Sequence, residues 1–502
     1  MTKLAGVVRP VDVDLDGELI LQPAAVIRAV LLAKTGAVLR RHWLAAVLMV
    51  LGVALRVLAE FAYRPALFYI DTTKYLYDAQ GNDPDGYKAP LRAILSIGNF
   101  DIVVLVQHLL GLAIALAIYL LLLRRGASRW LAALAMAPIL LDAYQLQMEQ
   151  TIMPGSWFEA LAVAGFVILL WRPVTSWKAI IWAGLVFGTS ATVWQNGEAL
   201  IVPAVIYVAA TGGGWWTVLR KAGLVSVAVA VPILLYCTGS YIFTGNFYLS
   251  HTGVTSLYGR TSAAVDCATI NLPALERPMC PTRAQEVLGS DWLEYSLKSP
   301  IRPYYHDMPR WEADQLISNF NYSVVTQQPL RLFGAYAHDA FKLFAVTRVT
   351  DRGDPPITRW QFKNYFPYFP PHASRQVVRQ AVDRFGGGKP QVWHPVAAFL
   401  RAYQLDGGYT PGPLLLLLTL SGLAGSGALL LGRRIDQQTR QLALACLLFF
   451  TAGVAILMVA DIFVFSWRYQ MNALVTLVPS GALGLAVIFR MIRRKRGLTP
   501  AE

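Results

Sequence analysis

The sequence is short of charge. Lys, Arg, Asp and Glu together make up 15% of its 502 residues, whereas a soluble domain carries about 25%. Hydrophobic residues make up 55%, and the mean hydropathy is +0.45. This composition excludes an ordinary soluble globular protein and predicts a mainly α, polytopic membrane helix bundle.

Other features are also scarce or missing. There are four cysteines, and no Cys or His cluster has the spacing of a metal site. We find no internal repeat and no low-complexity tract. Residues 1–42 are too polar for a cleavable signal peptide and lead into a run long enough to span. The net charge of +14 lies largely in short loops between apolar runs, where it orients the chain. No nucleic-acid partner is therefore expected.

Ten apolar runs approach the length of a membrane span. A span needs about 20 mostly apolar residues to cross roughly 30 Å of hydrocarbon. The ten runs lie near 43–63, 97–123, 129–146, 154–171, 178–194, 198–212, 220–244, 412–432, 441–465 and 471–490.

Clusters of Lys and Arg follow the even-numbered runs, which predicts that both termini are cytoplasmic. The first outer loop is then 64–96, within a span region 43–244 that follows a cytoplasmic segment 1–42. An extracytoplasmic α-rich domain, 245–411, separates spans seven and eight. Spans eight to ten fill 412–490, and a basic cytoplasmic tail fills 491–502. The sequence thus predicts a multi-pass protein of the plasma membrane.

The cysteines fall into two groups. Cys237 and Cys446 lie inside predicted spans, where packing is their expected role. Cys267 and Cys280 lie close together in the predicted outer domain. Because that compartment is oxidising, we expect a disulfide between them.

Polar residues collect where odd-numbered runs end. Asp71 follows the first run, "LLDAYQLQMEQ" (140–150) closes the third, "WQNGE" (194–198) follows the fifth and "FSWRYQ" (465–470) follows the ninth. All odd-numbered spans exit outside in the predicted topology. The sequence therefore predicts a site on the outer face of the membrane.

Asp71 lies among Phe68, Tyr69 and Tyr75. A lone Asp at a helix end is commonly a solvated acid. The aromatic setting favours a partly desolvated carboxylate, whose pKa would be raised and which would then accept a proton near neutral pH.

Asp142 and Glu149 are seven residues apart, two turns of a continuous helix, so both would face one way. They could form a polar cap. Acids beside spans are costly and usually serve a site. The pair together therefore favours function, whereas either acid alone leaves both interpretations open.

His108, in the second run, is interpreted as a residue that hydrogen-bonds between helices. Asp461, in the ninth run, has no assignable partner.

Two arginines are candidates for binding phosphate. Arg468 follows the ninth run, and Arg260 follows the seventh with Tyr258 nearby. An arginine at a span end can simply snorkel to the interface, and Tyr258 could be an interface aromatic. A guanidinium also binds phosphate bidentately, which is the functional interpretation.

Several short motifs together resemble a known family. They are Asp71-x-x-x-Tyr75, "DGYKAPL" (85–91), "LLDAYQLQMEQ" (140–150), "LYGRTSAAVDC" (257–267) and "WRYQ" (467–470). From about residue 43 to 490 the chain resembles actinobacterial multi-pass glycosyltransferases of the C superfamily, relatives of protein mannosyltransferases and aminoarabinose transferases. The resemblance implies a glycosyltransferase C bundle whose catalytic base is Asp71, with Asp142 or Glu149 as the second acidic region.

The resemblance also implies the substrates. The donor would be a polyprenyl-phosphate sugar, and the acceptor a hydroxyl of an envelope glycan, lipid or protein, with inverting hexosyl or pentosyl transfer. Membrane lipids would be the other partners. We expect no cofactor besides the donor, and the need for a divalent metal stays open. The expected substrate-binding residues are Tyr75, Tyr87, Lys88, Tyr258, Arg260, Arg468 and Tyr469.

Two other functions are considered. A transporter or flippase of a lipid-linked glycan would share the apolar bulk, but it predicts internal repeats and broken mid-membrane helices, neither of which is clear here. A non-catalytic scaffold would explain the outer domain but not the converging acids and arginines.

Overall fold

The computed structural model describes residues 38–77, 84–250 and 253–496. Met1–Val47 and Leu48–Glu502 are two compact units, and every contact discussed below lies within the second. The chain is mainly helical. Two short strands, β1 (Tyr63–Arg64) and β2 (Gln391–Val392), pair antiparallel with Tyr63 opposite Val392.

The helices follow one another along the chain in this order: α1 (Trp43–Ala62), α2 (Thr72–Leu76), α3 (Lys88–Ile97), α4 (Phe100–Arg125), α5 (Arg129–Leu141), α6 (Ala143–Gln150), α7 (Gly155–Leu170), α8 (Trp177–Val193), α9 (Ile201–Ala210), α10 (Trp215–Thr244), α11 (Gly253–Ala264), α12 (Arg283–Glu286), α13 (Gly289–Tyr295), α14 (Arg302–Asp307), α15 (Arg310–Gln327), α16 (Pro329–Lys342), α17 (Arg375–Phe385), α18 (His394–Leu405), α19 (Gly412–Gly427), α20 (Gln437–Phe463), α21 (Trp467–Gln470) and α22 (Asn472–Lys495). Turns of 3₁₀ helix cover Gln195–Leu200, Arg277–Met279, Ile357–Trp360 and Ala428–Arg434.

Six helical segments in the described part of the chain are long and apolar enough to cross a membrane. They are Trp43–Ala62, Phe100–Arg125, Trp215–Thr244, Gly412–Gly432, Gln437–Phe463 and Trp467–Lys495. The bent pair α5 and α6 makes a seventh if it counts as one span. The remaining predicted spans coincide with helices that are shorter than a span. The apolar helices support the predicted multi-pass helical protein, whereas the count of ten is not confirmed.

The third predicted span is not one continuous helix. Pro138 lies inside α5, which ends at Leu141, and α6 leaves it at an angle of 52°. Asp142 is extended and its carboxylate accepts a hydrogen bond from the Tyr144 backbone N–H at 3.0 Å, which makes it the N-cap of α6. Proline removes a helical donor, and Asp is a favoured N-cap. The prediction that Asp142 and Glu149 share one face of a continuous helix is therefore wrong.

Residues 253–411 form a series of short helices with a core of their own. Tyr258 of α11 packs against Phe320 of α15, with ring centroids 5.4 Å apart, and Ile317 and Leu293 are fully buried around them. The predicted disulfide is confirmed, because Cys267 and Cys280 are bonded. This core supports the α-rich segment between α10 and α19.

The segment before α2 is held against residues 150–152. The Leu67 N–H donates to the Gln150 carbonyl at 3.0 Å, and the Ile152 N–H donates back to the Leu67 carbonyl at 3.0 Å. The Thr72 hydroxyl then donates to the Ile152 carbonyl at 3.0 Å. These bonds fix the backbone on both sides of residue 71.

Candidate functional site

The centre of the candidate site is a carboxylate between two cations. Arg468 Nη1 lies 2.8 Å from Asp71 Oδ2, and Lys74 Nζ lies 3.1 Å from Asp71 Oδ1. Asp71 directly precedes α2, whereas Arg468 lies in α21, 397 residues later. The side chains of the three residues are between 15% and 21% exposed. The expectation that Asp71 and Arg468 meet on one side of the protein is therefore met by direct contact.

Aromatic rings surround the Arg468 guanidinium. Its Cζ lies 4.7 Å from the ring centroid of Tyr469, 5.4 Å from that of Trp360 and 5.7 Å from that of Tyr69. Arg468 Nη2 also donates to the Tyr469 hydroxyl at 2.7 Å. Cation–π contacts of this kind are strongest where the cation is desolvated. The rings therefore hold the guanidinium in one orientation.

One cavity of the described residues at Arg468 is small. Arg468 shares it with Tyr75, Met148, Met153 and Trp194, and its volume is about 10 Å³, roughly the space of one water molecule. Tyr75 thus reaches the site, as expected. A sugar or a phosphate group is larger than this cavity.

One buried donor beside the site is unused. Trp360 Nε1 has no hydrogen-bond partner among the described residues, although the residue is only 2% exposed. Buried polar groups are nearly always hydrogen-bonded, so an unused donor calls for an explanation. An acceptor oxygen of a ligand would supply the missing bond.

The electrostatics of Asp71 differ from the expectation. Burial raises the pKa of this carboxyl, but the attraction of Lys74 and Arg468 outweighs burial and holds the pKa of Asp71 well below its usual range. The predicted upward shift of the Asp71 pKa is wrong because the prediction counted burial among aromatic side chains and not the charges of Lys74 and Arg468. The free protein therefore holds Asp71 ionised and weakly basic.

Asp142 lies in a separate ion pair. Arg348 Nη2 contacts its Oδ2 at 3.0 Å, and the side chains are 4% and 0% exposed. The Thr410 backbone N–H donates to the same oxygen at 2.7 Å. The Arg348 guanidinium also stacks over Tyr144, at 4.5 Å from the ring centroid, and over Trp467, at 5.6 Å. This geometry shows that Asp142 joins separate segments of the chain. Both of its carboxylate oxygens are engaged, so Asp142 could accept a proton only after it left these contacts.

Glu149 is sealed inside the bundle. Its side chain is 0% exposed, with Arg56 Nη2 at 2.7 Å from Oε1 and His108 Nδ1 at 3.1 Å from Oε2. Arg56 also donates to the carbonyls of Ile139 and Leu140 at 3.2 and 3.1 Å, which lack helical partners because α5 ends there. The structure therefore places Glu149 in a supporting cluster.

His108 and Gln107 complete this supporting cluster. His108 Nε2 lies 2.9 Å from Gln150 Oε1, so its interpretation as a residue that bonds between helices is confirmed. Gln107 Nε2 donates to the carbonyls of Glu149 and Thr151 at 2.7 and 2.9 Å. The cluster thus fixes the backbone that hydrogen-bonds to the segment before Asp71.

Two predicted binding residues of the first loop, Tyr87 and Lys88, have different surroundings. Tyr87 is fully buried, donates from its hydroxyl to Gln107 Oε1 at 2.9 Å, and packs edge-on against Tyr75 with centroids 5.2 Å apart. Lys88 pairs with Asp85 at 2.8 Å. Tyr87 therefore connects the supporting cluster to Tyr75, and Lys88 is engaged at the surface of the loop.

Arg260 and Tyr258 lie in another group. Arg260 Nη2 contacts Asp339 Oδ2 at 2.5 Å and donates to the Asp461 carbonyl at 2.8 Å. The Tyr258 hydroxyl donates to the Met279 carbonyl at 2.7 Å, and the residue is fully buried. Arg260 therefore joins the α-rich segment to α20, whereas Tyr258 lies in the core of that segment. Asp461 itself accepts from Gln470 Nε2 at 3.1 Å.

Sequence reasoning missed three contributors. Lys74 follows Asp71 by three residues, a spacing at which helical side chains meet, so a local signal existed. Trp360 and Arg348 come from the long segment and carry no local signal. No group of three or more His, Cys, Asp or Glu within 38–77, 84–250 and 253–496 could hold a metal ion.

Comparisons with known proteins give structural matches of low identity. No protein-family model matches the chain, and no curated protein sequence matches it. A structure of the S. cerevisiae protein O-mannosyltransferase Pmt1-Pmt2 complex bound to the sugar donor is 18% identical, with a TM-score of 0.32 over 44% of this chain and 36% of that chain. The archaeal oligosaccharyltransferase AglB from Archaeoglobus fulgidus, in complex with an inhibitory peptide and a dolichol-phosphate, is 14% identical, with a TM-score of 0.43 over 91% of this chain and 52% of that chain. The chain thus spans about a third and about half of the lengths of these two structures.

Proposed function

We propose that the protein is a membrane glycosyltransferase that moves a sugar from a polyprenyl-phosphate donor to a hydroxyl acceptor. The observation that carries this proposal is the direct contact of Asp71 with Arg468 and Lys74 inside a ring of aromatic side chains. A carboxylate base and phosphate-binding cations are thereby held side by side. In the expected topology this site faces the outside of the plasma membrane, where envelope acceptors lie.

The chemistry is a single displacement. The acceptor oxygen bonds to the anomeric carbon while the bond from that carbon to the phosphate oxygen breaks, and its electron pair leaves with the lipid phosphate. The acceptor proton passes to the Asp71 carboxylate. One displacement inverts the anomeric configuration. Arg468 and Lys74 neutralise the departing phosphate.

Donor binding would also activate the base. In the free protein Arg468 and Lys74 lower the pKa of Asp71. A donor phosphate would draw both cations toward itself and place a negative charge nearby, and each effect raises the pKa of a neighbouring carboxyl. Asp71 would then become a stronger base once the donor is bound. This favours an order in which the donor binds before the acceptor.

The aromatic residues suit a glycosyl group. Tyr69, Trp360 and Tyr469 present rings around the guanidinium, and the unused Trp360 Nε1 would donate to a sugar or phosphate oxygen. In a desolvated site such a hydrogen bond discriminates strongly between ligands that can accept it and those that cannot.

One observation favours the alternative of a transporter or flippase. The bent pair α5 and α6 is the kind of broken helix found at transport sites. The two functions differ in their products, because a transporter moves the lipid-linked sugar without breaking it.

The deciding experiment is a product assay on purified protein in nanodiscs. We would supply a panel of radiolabelled polyprenyl-phosphate sugars with acceptor extracts and measure the released polyprenyl phosphate and the labelled acceptor. A glycosyltransferase releases both in equal amounts. Movement of intact donor across proteoliposomes without release would contradict the proposal.

A further inference from the structure

A large apolar cavity lies apart from the Asp71 site. Its volume is about 800 Å³, near the upper end of the about 300–1,000 Å³ found for ligand sites. Four helices contribute to its walls, and α18 supplies Phe399, Ala402 and Tyr403. Leu131 and Leu141 contribute from α5, Leu414 and Leu418 from α19, and Val478 and Leu485 from α22.

The cavity has the dimensions of a hydrocarbon chain. Its α5 wall runs from Leu131 to Leu141, ten residues or about 15 Å at the helical rise, which is about half of a hydrocarbon core. Leu134 and Leu414 on its rim are 58% and 43% exposed. Because these helices are apolar enough to span a membrane or adjoin those that are, the exposed rim would face lipid. An alkyl or isoprenoid chain could enter from the side.

One end of the cavity is polar and acidic. Asp142, Asp406 and Thr410 line this end, and none of the described lining residues is Lys or Arg. Asp142 is already paired with Arg348, while Asp406 is exposed at the end of α18. The cation at this end, Arg348, is already engaged by Asp142 at 3.0 Å and by the Thr410 carbonyl at 3.4 Å. A phosphate head group would therefore meet the exposed Asp406 carboxylate without a cation to pair with, whereas a hydroxyl could donate to that carboxylate.

A glycine turn shapes this polar end. Gly407 has φ +108, a left-handed conformation that favours glycine. A Cβ on Gly408 would lie 2.4 Å from the Tyr403 carbonyl oxygen. The Gly408 carbonyl accepts from the Ala143 N–H at 2.7 Å, which joins the turn to the start of α6. The polar end is therefore a built part of the fold.

We propose that this cavity binds the hydrocarbon chain of an amphiphile whose head group is uncharged and bears hydroxyls. The chain lies along α5, α19 and α22, and the head group lies at Asp406 and Thr410. The described lining of this cavity shares no residue with the group of Asp71, Lys74 and Arg468, which suits a phosphate. The proposal does not depend on glycosyl transfer.

The test uses photoreactive probes on the full-length protein in nanodiscs. One probe is a long-chain alcohol with a diazirine in its chain, and the other is the monoalkyl phosphate of the same chain. Labelled peptides are mapped by mass spectrometry. We expect the alcohol to label 131–141 and 478–485, and to exceed the phosphate by about tenfold, the ratio given by about 1.4 kcal/mol of repulsion.

Four variants separate a built site from general lipid contact. Ala482→Phe places a large ring on the cavity wall and should abolish labelling of both segments by the alcohol. Leu134→Trp, on the exposed rim, should reduce that labelling even if Ala482→Phe fails to fold. Ala424→Phe is the matched control, because Ala424 is exposed on α19 outside the cavity. Asp406→Lys should raise labelling by the phosphate probe.

Three results would overturn the proposal. Equal labelling by the two probes would remove the argument for an uncharged head group. Unchanged labelling in folded Leu134→Trp and Ala482→Phe would show that the cavity is not the site. Labelling spread evenly over all exposed apolar helices would show contact with bulk lipid only.

Discussion

The ion pair between Asp71 and Arg468 engages both side chains in the free protein. A phosphate that binds Arg468 must compete with the carboxylate, and a hydroxyl that gives its proton to Asp71 must wait for the cations to move. Substitution of Asp71 is therefore expected to lower turnover and to tighten donor binding, whereas substitution of Arg468 is expected to weaken donor binding.

Asp71→Asn should lower turnover and tighten donor binding. The amide removes the proton acceptor, and general base catalysis is commonly worth about 10²–10⁴ in rate. It also removes the carboxylate that competes for Arg468, so the donor Kd should fall. Transfer rate and donor affinity are measured on monodisperse protein. Asp307→Asn is the matched control, because Asp307 is 67% exposed and pairs only with an exposed His306 among its described contacts. Turnover close to that of the unchanged protein would place the base elsewhere.

Arg468→Lys should weaken donor binding although it keeps the charge. Lysine cannot bind phosphate bidentately and cannot stack on three rings as the planar guanidinium does. We expect the donor Kd to rise by about tenfold or more, equivalent to about 1.4 kcal/mol. In the double variant with Asp71→Asn, the two changes in donor binding should not add, because the residues are in contact. Additive effects would mean that the phosphate binds away from Arg468.

The pH dependence should differ between kcat/KM and kcat. Protonation of Asp71 abolishes base catalysis, so activity falls on the acid side of its pKa. In the free protein that pKa lies below the ordinary Asp value of about 3.9, whereas bound phosphate raises it. The acid limb of kcat, which reports the complex, should therefore lie at higher pH than that of kcat/KM. Acid limbs at the same pH would contradict activation by the donor.

The ion pair of Asp71 with its cations also stabilises the fold at pH values above the ordinary pKa of Asp. This contribution to the free energy of unfolding is lost as the pH falls through the lowered pKa of Asp71.

At the scale of the helices, the break between α5 and α6 determines how α1, α5 and α6 meet. Helix α5 ends at Leu141, and Asp142 caps the next helix, α6. The free carbonyls of Ile139 and Leu140 are taken by Arg56, which also neutralises the buried Glu149. Three helices, α1, α5 and α6, thus meet at one charged side chain.

Arg56→Ala should strongly destabilise the protein. It leaves the carboxylate of Glu149 buried without its main cation, and breaking a buried pair costs about 3–5 kcal/mol. Arg56→Ala combined with Glu149→Gln should recover part of that loss. Unfolding midpoints in detergent titrated with denaturant would measure both. Arg310→Ala is the control, since its exposed pair with Asp314 is worth about 0–1 kcal/mol. A double variant less stable than Arg56→Ala alone would contradict this account.

The sequence predicted some of these contacts and not others. Apolar length and the positive-inside pattern predicted that Asp71 and Arg468 lie at corresponding helix ends, and the spacing of Cys267 and Cys280 predicted their bond. The break between Leu141 and Ala143 was not predicted, because the predicted third span runs across it. The pairing of Asp142 with Arg348, 206 residues away, depends on tertiary packing that no local pattern encodes.

For the whole molecule, orientation in the membrane is the property on which the proposed function depends. The Lys and Arg pattern predicts that residues 64–96 and 245–411 lie outside. A single cysteine introduced at Pro300, in a variant whose Cys237 and Cys446 are replaced by Ser, should react with a membrane-impermeant maleimide in intact cells. A cysteine at Arg172 should react only after the membrane is opened. The reverse pattern would place the Asp71 site on the cytoplasmic side.

The distance along the chain between Asp71 and Arg468 has a consequence for biosynthesis. Translation proceeds at about 5–20 residues per second, so about 20–80 seconds pass between the synthesis of the two residues, which are 397 positions apart. During that interval Lys74 is the charged partner that the described part of its own segment offers Asp71. A chain that stops before α21 lacks the Arg468 guanidinium that pairs with Asp71. If the proposed mechanism holds, activity therefore requires synthesis to reach α21, and a shorter nascent chain would not consume donor.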